Sequence, residues 1–287
     1  MSSTAETAAL LRAAGAVVAE PELRGPDVLA ARLIPWWPLG RAMIKVPGLR
    51  VLVLRALRRS WPGALWFEVI RTRYMDDVVR AEVAAGATQL VVLGAGFDSR
   101  AHRLRDLLAG TTVFEVDQPD TSARKRARIR ALPRVSNVHY LTIDFNRDDL
   151  AATLERGGYD PTARTVVVWS GVTQYLEAAG VEATLRWLSA QAPGSSVVFD
   201  YCWREVIEGT GLTPDALAAA REVASRGEPW LWGIRRGKAG EFLAGQGLRL
   251  VEDLDIPTAQ SRYLRRADGT VQGPVWTFGG FVHAKTR

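Results

Sequence analysis

Two carboxylates, Glu115 and Asp117, close the apolar run Thr112-Val-Phe-Glu-Val-Asp117, and they lie 19 and 21 residues beyond Gly96. An acid about 20 residues past a glycine turn, at the carboxyl end of a second strand, is placed to accept hydrogen bonds from ribose hydroxyls. Side chains alternate along a strand, so both acids point the same way. One can hold a ribose while the other holds a helix or a neighbouring basic residue. Capping of the next helix is the competing role for either acid. The glycine turn is Gly94-Ala95-Gly96, directly after the apolar run Leu90 to Leu93. Two glycines let backbone pass close to a ligand where a Cβ would collide.

Further candidates end the next two apolar runs. Asp144-Phe145 closes the first, where the acid could bond an exocyclic amino group while the ring packs on a purine. Ser170 follows Val166-Val-Val-Trp169 in the second. Gly94, Asp117, Asp144 and Ser170 then sit at the carboxyl ends of successive strands, where open α/β sheets bind ligands. No Gly-Lys-Ser/Thr loop is present, which excludes a P-loop nucleotide site. The turn also lacks the third glycine of a dinucleotide fingerprint, and Asp98 would repel a pyrophosphate. An acid there suits an amino-acid ammonium, so the residues favour S-adenosyl-L-methionine over a nicotinamide cofactor.

The elements that must position these residues alternate. Strands are predicted at 90–93, 112–116, 138–143, 165–169 and 196–200, with candidates at 248–254 and 275–283. Helices are predicted at about 99–109, 119–131, 147–156, 177–191, 214–225 and 237–245. Such alternation implies a Rossmann-like, doubly wound, mainly parallel sheet with right-handed crossovers. Before it, Glu68 to Ala85 reads as one long helix, with Val69, Ile70, Tyr74, Val78 and Val83 on an apolar face and Gly86 as its stop. Residues 1–67 are expected to form a helical cap, and 68–287 the cofactor-binding domain, with substrate-pocket insertions around 201–240. Residues 1–30 are alanine-rich and helical in composition. The dense apolar run Val46 to Leu57 could lie on a membrane surface; a cap helix over an apolar pocket is preferred, because it also accounts for the neighbouring tryptophans.

The motifs Arg71-Thr-Arg-Tyr-Met-Asp-Asp77, Leu93-Gly-Ala-Gly-Phe-Asp-Ser-Arg100, Phe114-Glu-Val-Asp-Gln-Pro119 with Lys125, Asp144-Phe145 and Gly171-Val-Thr-Gln-Tyr-Leu176 together resemble the leucine carboxyl methyltransferase family. The likeness is greatest to its bacterial branch of S-adenosylmethionine-dependent O-methyltransferases of secondary metabolism. It covers roughly residues 65 to 265, through Gly227-Glu-Pro-Trp230 and Arg262-Tyr-Leu264. The resemblance implies a class I methyltransferase fold. It also implies that Arg73 holds the cofactor carboxylate, that the turn Gly94-Ala95-Gly96 passes its methionine part, that Asp117 holds the ribose, and that Asp144-Phe145 recognises the adenine. The family usually carries glutamate immediately before the glycine of the fourth-strand motif, and here that position is Ser170. The change removes a negative charge near the ammonium and sulfonium, about 1–3 kcal/mol of charge-assisted bonding. Asp98 or a water could compensate. Otherwise the cofactor is used differently, for example as the substrate of an intramolecular cyclisation that releases methylthioadenosine.

Methyl transfer needs proximity, alignment and a dry site. A carboxylate acceptor needs no base, whereas a phenol or alcohol does. His102, His139 and His283 are not expected to supply one. Ser170 and Tyr175 are the candidate catalytic groups, with Tyr201 and Tyr263 as further possible orienting groups. The acceptor pocket is expected to draw on Trp36, Trp37, Trp61, Trp66, Trp203, Trp230 and Trp232, which suits a small apolar or aromatic metabolite. Arg235 or Arg262 could clamp an acceptor carboxylate. The three readings left open are an O-methyltransferase, an enzyme that consumes S-adenosylmethionine itself, and a non-catalytic protein that binds it.

The formal charge of +6 comes mostly from arginines, clustered at Arg55, Arg58 and Arg59, at Arg124 to Arg134 and at Arg235, Arg236 and Lys238, and reads as a solvated surface rather than a nucleic-acid footprint. The lone Cys202 leaves no possibility of an intramolecular disulfide or a cysteine metal cluster, in keeping with a reducing cytoplasm. The start Met1-Ser-Ser-Thr-Ala-Glu lacks a signal peptide's pattern, and no apolar stretch approaches the ~18 residues of a spanning helix.

Overall fold

Strands β1 (Gln89–Leu93) and β4 (Thr165–Trp169) are buried along their whole length, as unbroken apolar runs in a sheet covered on both faces must be. A computed structural model describes residues 4–34, 42, 46–145, 147–210, 213–225, 227 and 229–287, without the side chains of Asp215, Glu222 and Ser225. The remaining strands are β2 (Thr112–Asp117), β3 (Val138–Thr142), β5 (Ser196–Cys202), β6 (Arg249–Asp255) and β7 (Gly279–Lys285). They form one seven-stranded sheet in the order β3-β2-β1-β4-β5-β7-β6. The first five are parallel, and β7 runs antiparallel between β5 and β6.

Chain order reverses between β1 and β4, so the loops after these strands part and leave a crevice at their carboxyl ends. Register brings the crevice residues level: Leu93 pairs with Val116 on one side and with Trp169 on the other. Gly94, Asp117 and Ser170 therefore emerge at the same edge. Period-two alternation divides the core. Leu90, Val92, Val166 and Val168 pack on one face with Val69, Ile70 and Tyr74 of the helix Ala64–Ala84. Val91, Leu93, Val167 and Trp169 pack on the other with Val181, Leu185 and Leu188 of the helix Ala178–Ser189.

The long helix starts at Ala64 rather than Glu68, because Pro62-Gly63 turns the chain there. Gly63 takes φ 87°, and a Cβ on it would lie 2.8 Å from the Trp276 amide nitrogen. The N-terminal helix Thr4–Gly15 crosses it closely, since a Cβ on Gly15 would come 2.6 Å from a Val69 methyl. Other boundaries moved as well. The expected helix at 99–109 is regular only over Arg100–Arg103. The one expected at 147–156 begins at Leu150, after Asp149 accepts from the Ala152 amide at 2.9 Å. The last strand lies at Gly279–Lys285 instead of 275–283. A helix at Ile256–Tyr263, absent from the sequence expectation, is capped by Asp255, which accepts from the Thr258 amide at 2.7 Å.

Candidate active site

The crevice opens into a cavity of about 750 Å³. The glycine turn forms its floor, with Gly94 at φ 60° and Gly96 at φ 47°. A Cβ on Gly94 would lie 2.4 Å from a Val172 methyl, so only glycine lets the turns after β1 and β4 approach this closely. Asp117 closes one end, accepting from the Gly96 amide and, at 2.6 Å, from the Gln118 amide. Burial raises its carboxyl above the ordinary range despite those two bonds. Ala95, Phe145, Ser170 and Tyr175 also reach the wall.

Glu115 does not reach it. Two residues earlier on the same strand face, it is buried against Lys125 Nζ at 2.6 Å, with its carboxyl raised by burial. Asp144 is also off the wall: its carboxylate lies 3.7 Å from Arg147 and is 44% exposed. Asp98 lies on the wall but is engaged, bonding the backbone and guanidinium of Arg100. Burial alone would raise its carboxyl, and Arg100, Lys125, Arg12 and Arg103 together hold it well below the carboxylate range. It is thus an ionised carboxylate already paired with a cation, not a free ammonium partner.

Arg73 is turned away from the cavity. Its guanidinium donates to the carbonyls of Tyr263, of Glu22 at 2.7 Å and of Arg24 at 2.6 Å, fastening the N-terminal segment to the long helix. Arg12 and Arg71 are the arginines on the wall among the described residues, and the one from the same motif as Arg73 is Arg71. Its Nη1 donates to Asp200 at 2.9 Å and its Nη2 to Glu68, and a Cβ on Gly171 would lie 2.6 Å from that Nη1. Burial opposes its charge, but Glu68 and Asp200 outweigh burial and raise its pKa further. Neither Glu68 nor Asp200 was singled out from sequence. Their signal was present, since an acid one helical turn before an arginine and an acid closing the apolar run 196–200 are both readable.

The opposite half of the cavity is aromatic. Phe67 packs on Trp276 with ring centroids 5.8 Å apart, and Phe278 packs on both Trp276 and Trp230 at 5.4 Å. Trp61 completes this wall. Trp66 and Trp232 are buried in the core, and Trp203 packs under Arg236, so these three do not line the cavity. Trp36 and Trp37 lie outside the described residues. Trp276, missed from sequence, takes a lining place because the chain before β7 folds over Gly63. Arg235 and Arg262 pair with Glu208 and Glu252 away from the wall. No histidine lines it among the described residues: His102 lies near Tyr140, His139 near Phe114, and His283 beside Glu82. Tyr201 reaches the wall with its hydroxyl donated to Asp253 at 2.9 Å, whereas Tyr263 bonds Asp77 elsewhere.

A five-stranded parallel sheet extended by an antiparallel β7, with a cavity at its switch point, defines the class I methyltransferase type of fold. Residues 7–189 match the family model described as leucine carboxyl methyltransferase, so the chain belongs to that family, as its motifs suggested. A Frankia alni relative, named as a candidate S-adenosyl-L-methionine-dependent methyltransferase, is 36% identical over 155 residues, covering 53% of this chain and 54% of that protein. The chain thus spans about half the length of that relative. A Mycobacterium bovis relative of the same description is 30% identical over 227 residues and 72% of each chain. Among solved structures, a DUF574 family protein from Streptomyces avermitilis shares the fold at TM-score 0.56 and 18% identity, over 84% of this chain and 91% of that one. A candidate methyltransferase from Thermobifida fusca does so at TM-score 0.57 and 20% identity, over 84% and 89%.

Proposed function

We propose that the protein is an S-adenosylmethionine-dependent O-methyltransferase acting on a carboxylate or hydroxyl of a small, apolar or aromatic metabolite. One observation carries this reading: a single cavity joins the strand-end residues Gly94, Asp117 and Ser170 to an aromatic chamber of Trp61, Trp230, Trp276 and Phe278. The residues present fit the cofactor. Asp117 offers a carboxylate at the ribose end, Phe145 an apolar face for the adenine, and the glycine turn a close passage for the methionine chain. Bound there, S-adenosylmethionine supplies an electrophilic methyl group on a cationic sulfur. Arg71, held between Glu68 and Asp200, takes the carboxylate-orienting place that the motif suggested for Arg73. Ser170 and Tyr175 also line the cavity, and we assign them to aligning the acceptor oxygen. Residues 1–67 serve as the lid that keeps water out.

The methyltransferase description shared by the Frankia and Mycobacterium relatives supports this assignment. Among the described residues no helix is long and apolar enough to cross a membrane. The setting we propose is the bacterial cytoplasm, in secondary metabolism. Serine at 170 favours one competing reading, in which the cofactor is itself consumed. Incubation with S-adenosylmethionine alone, then with a panel of aromatic acids and phenols, distinguishes the two by mass spectrometry. Acceptor-dependent S-adenosylhomocysteine is the expected product; methylthioadenosine formed without acceptor would replace this reading with the competing one.

A further inference from the structure

The wall of the cavity holds one carboxylate oxygen with nothing to bond. Glu68 is 6% exposed; its Oε1 accepts from Arg71, while its Oε2 is buried and has no hydrogen-bond partner among the described residues. A buried acceptor left unmatched costs about 1–3 kcal/mol, and more when it is charged. A ligand that donates a hydrogen bond removes that penalty. Glu68 also stands at the boundary between the two halves. Arg71, one helical turn onward, lies against Gly171 and Asp200 at the strand ends, whereas Phe67, its neighbour, packs on Trp276 in the aromatic chamber. A methyl group passing from cofactor to acceptor must cross this boundary.

Charge indicates which acceptor fits. On the same wall Asp98 is balanced by Arg100, and Arg12 by Asp27 at 3.0 Å. The trio of Glu68, Arg71 and Asp200 holds two carboxylates against one guanidinium. The single guanidinium of the trio is outnumbered by its two carboxylates, so Arg71 leaves no net positive charge to hold an acceptor anion at this boundary. A carboxylate acceptor would meet a buried site of its own sign, whereas a neutral hydroxyl would find an acceptor for its proton. The indole Nε1 of Trp230, also on the wall, is a buried donor without a partner among the described residues, so the wall offers both polarities that a hydroxyl needs.

We infer that Glu68 is the group on which the acceptor's hydroxyl docks and to which it gives its proton, so that the acceptor is a phenol rather than a carboxylic acid. The inference rests on the acceptor reading of the aromatic chamber. In the step, the phenol O–H bond breaks with its proton passing to Glu68 Oε2, and the oxygen lone pair forms the new O–CH3 bond. The S–CH3 bond breaks with its electron pair left on sulfur, which turns the sulfonium into a neutral thioether.

Calorimetric titration of the S-adenosylhomocysteine-saturated protein with 2-naphthol and 2-naphthoate tests this without a variant. The expected result is 2-naphthol bound at least about tenfold more tightly, and Glu68→Gln narrowing that preference by about tenfold through improved naphthoate binding. The glutamine keeps an oxygen that accepts from Arg71, so any loss of S-adenosylhomocysteine affinity in the same variant is expected to stay well below the change in naphthoate binding. Naphthoate binding as tightly as naphthol to the wild type, or a preference unchanged in Glu68→Gln, overturns the inference while the acceptor reading stands. A large loss of S-adenosylhomocysteine affinity in Glu68→Gln also overturns it, by making Glu68 a cofactor ligand. If neither naphthalene binds, the acceptor reading of the chamber fails together with the inference.

Discussion

Arg71 and Asp200 meet at 2.9 Å although 129 residues separate them, and the other oxygen of Asp200 accepts from the Gly171 amide at 2.6 Å. One carboxylate thus ties the long helix, the turn after β4 and the end of β5 into the wall of the cavity. A negative charge stands beside the fourth-strand glycine even though residue 170 is serine.

That arrangement makes Arg71 a structural as well as a binding residue. Arg71→Ala leaves Glu68 and Asp200 buried together without their cation, and breaking such a pair typically costs about 3–5 kcal/mol. Urea denaturation should show a loss of that size, and Asp200→Asn added to Arg71→Ala should recover part of it. A near-neutral Arg71→Ala would mean that the trio is not formed in solution.

Arg73 predicts the opposite pattern. Its bonds go to the backbone of Glu22, Arg24 and Tyr263, so Arg73→Ala should lower stability by about 1–3 kcal/mol. Affinity for S-adenosylhomocysteine should be unchanged by calorimetry. A tenfold loss of affinity without loss of stability would restore the role suggested by the motif.

Asp117→Ala removes the acid at the ribose end and also frees the Gly96 amide that it holds. Two charge-assisted contacts disappear, so S-adenosylhomocysteine binding should weaken at least about tenfold. Glu115→Gln, two residues away and paired with Lys125, should instead appear mainly as a lower melting temperature. Undiminished affinity in Asp117→Ala would refute the cofactor placement.

Glu82 sets a pH limit. Burial acts to raise its carboxyl, but the His283 ring at 3.3 Å, Lys285 Nζ at 2.6 Å and Arg164 at 2.9 Å hold it down to about 2. A depressed folded-state value means stability present above the unfolded value of about 4.5 and lost as pH falls toward 2. Glu82→Gln should therefore be less stable at neutral pH and show a shallower loss of stability across that acid window. Parallel acid limbs for the two proteins would exclude Glu82 as the cause.

Much of the scaffold was legible because its signals are local. An apolar run, a glycine turn and an acid at a fixed interval are read within a few residues, and β1, β2 and β4 fell close to their expected limits. The failures also have local causes. Asp149 and Asp255 are helix caps that mark the starts of two helices, and both were passed over. At the site, Gly94, Ala95, Gly96, Asp98, Asp117, Phe145, Ser170 and Tyr175 lie on the cavity wall, whereas Arg73, Glu115 and Asp144 do not.

The sequence by itself determined the alternation of the central strands and helices, the family, and the strand-end positions from which ligand-facing side chains emerge. Only the tertiary structure decided which residue of each candidate pair faces the ligand. Arg71 and Arg73 lie about 200° apart around one helix, so a single packing choice turns one to the cavity and the other to the N-terminal segment. Glu115 and Asp117 share a strand face, and depth beneath the crevice separates them. Asp200 and Trp276 entered the site through contacts between segments far apart in the chain. Helical and strand periods establish the face a side chain occupies, but not which distant element comes to fill the space in front of it.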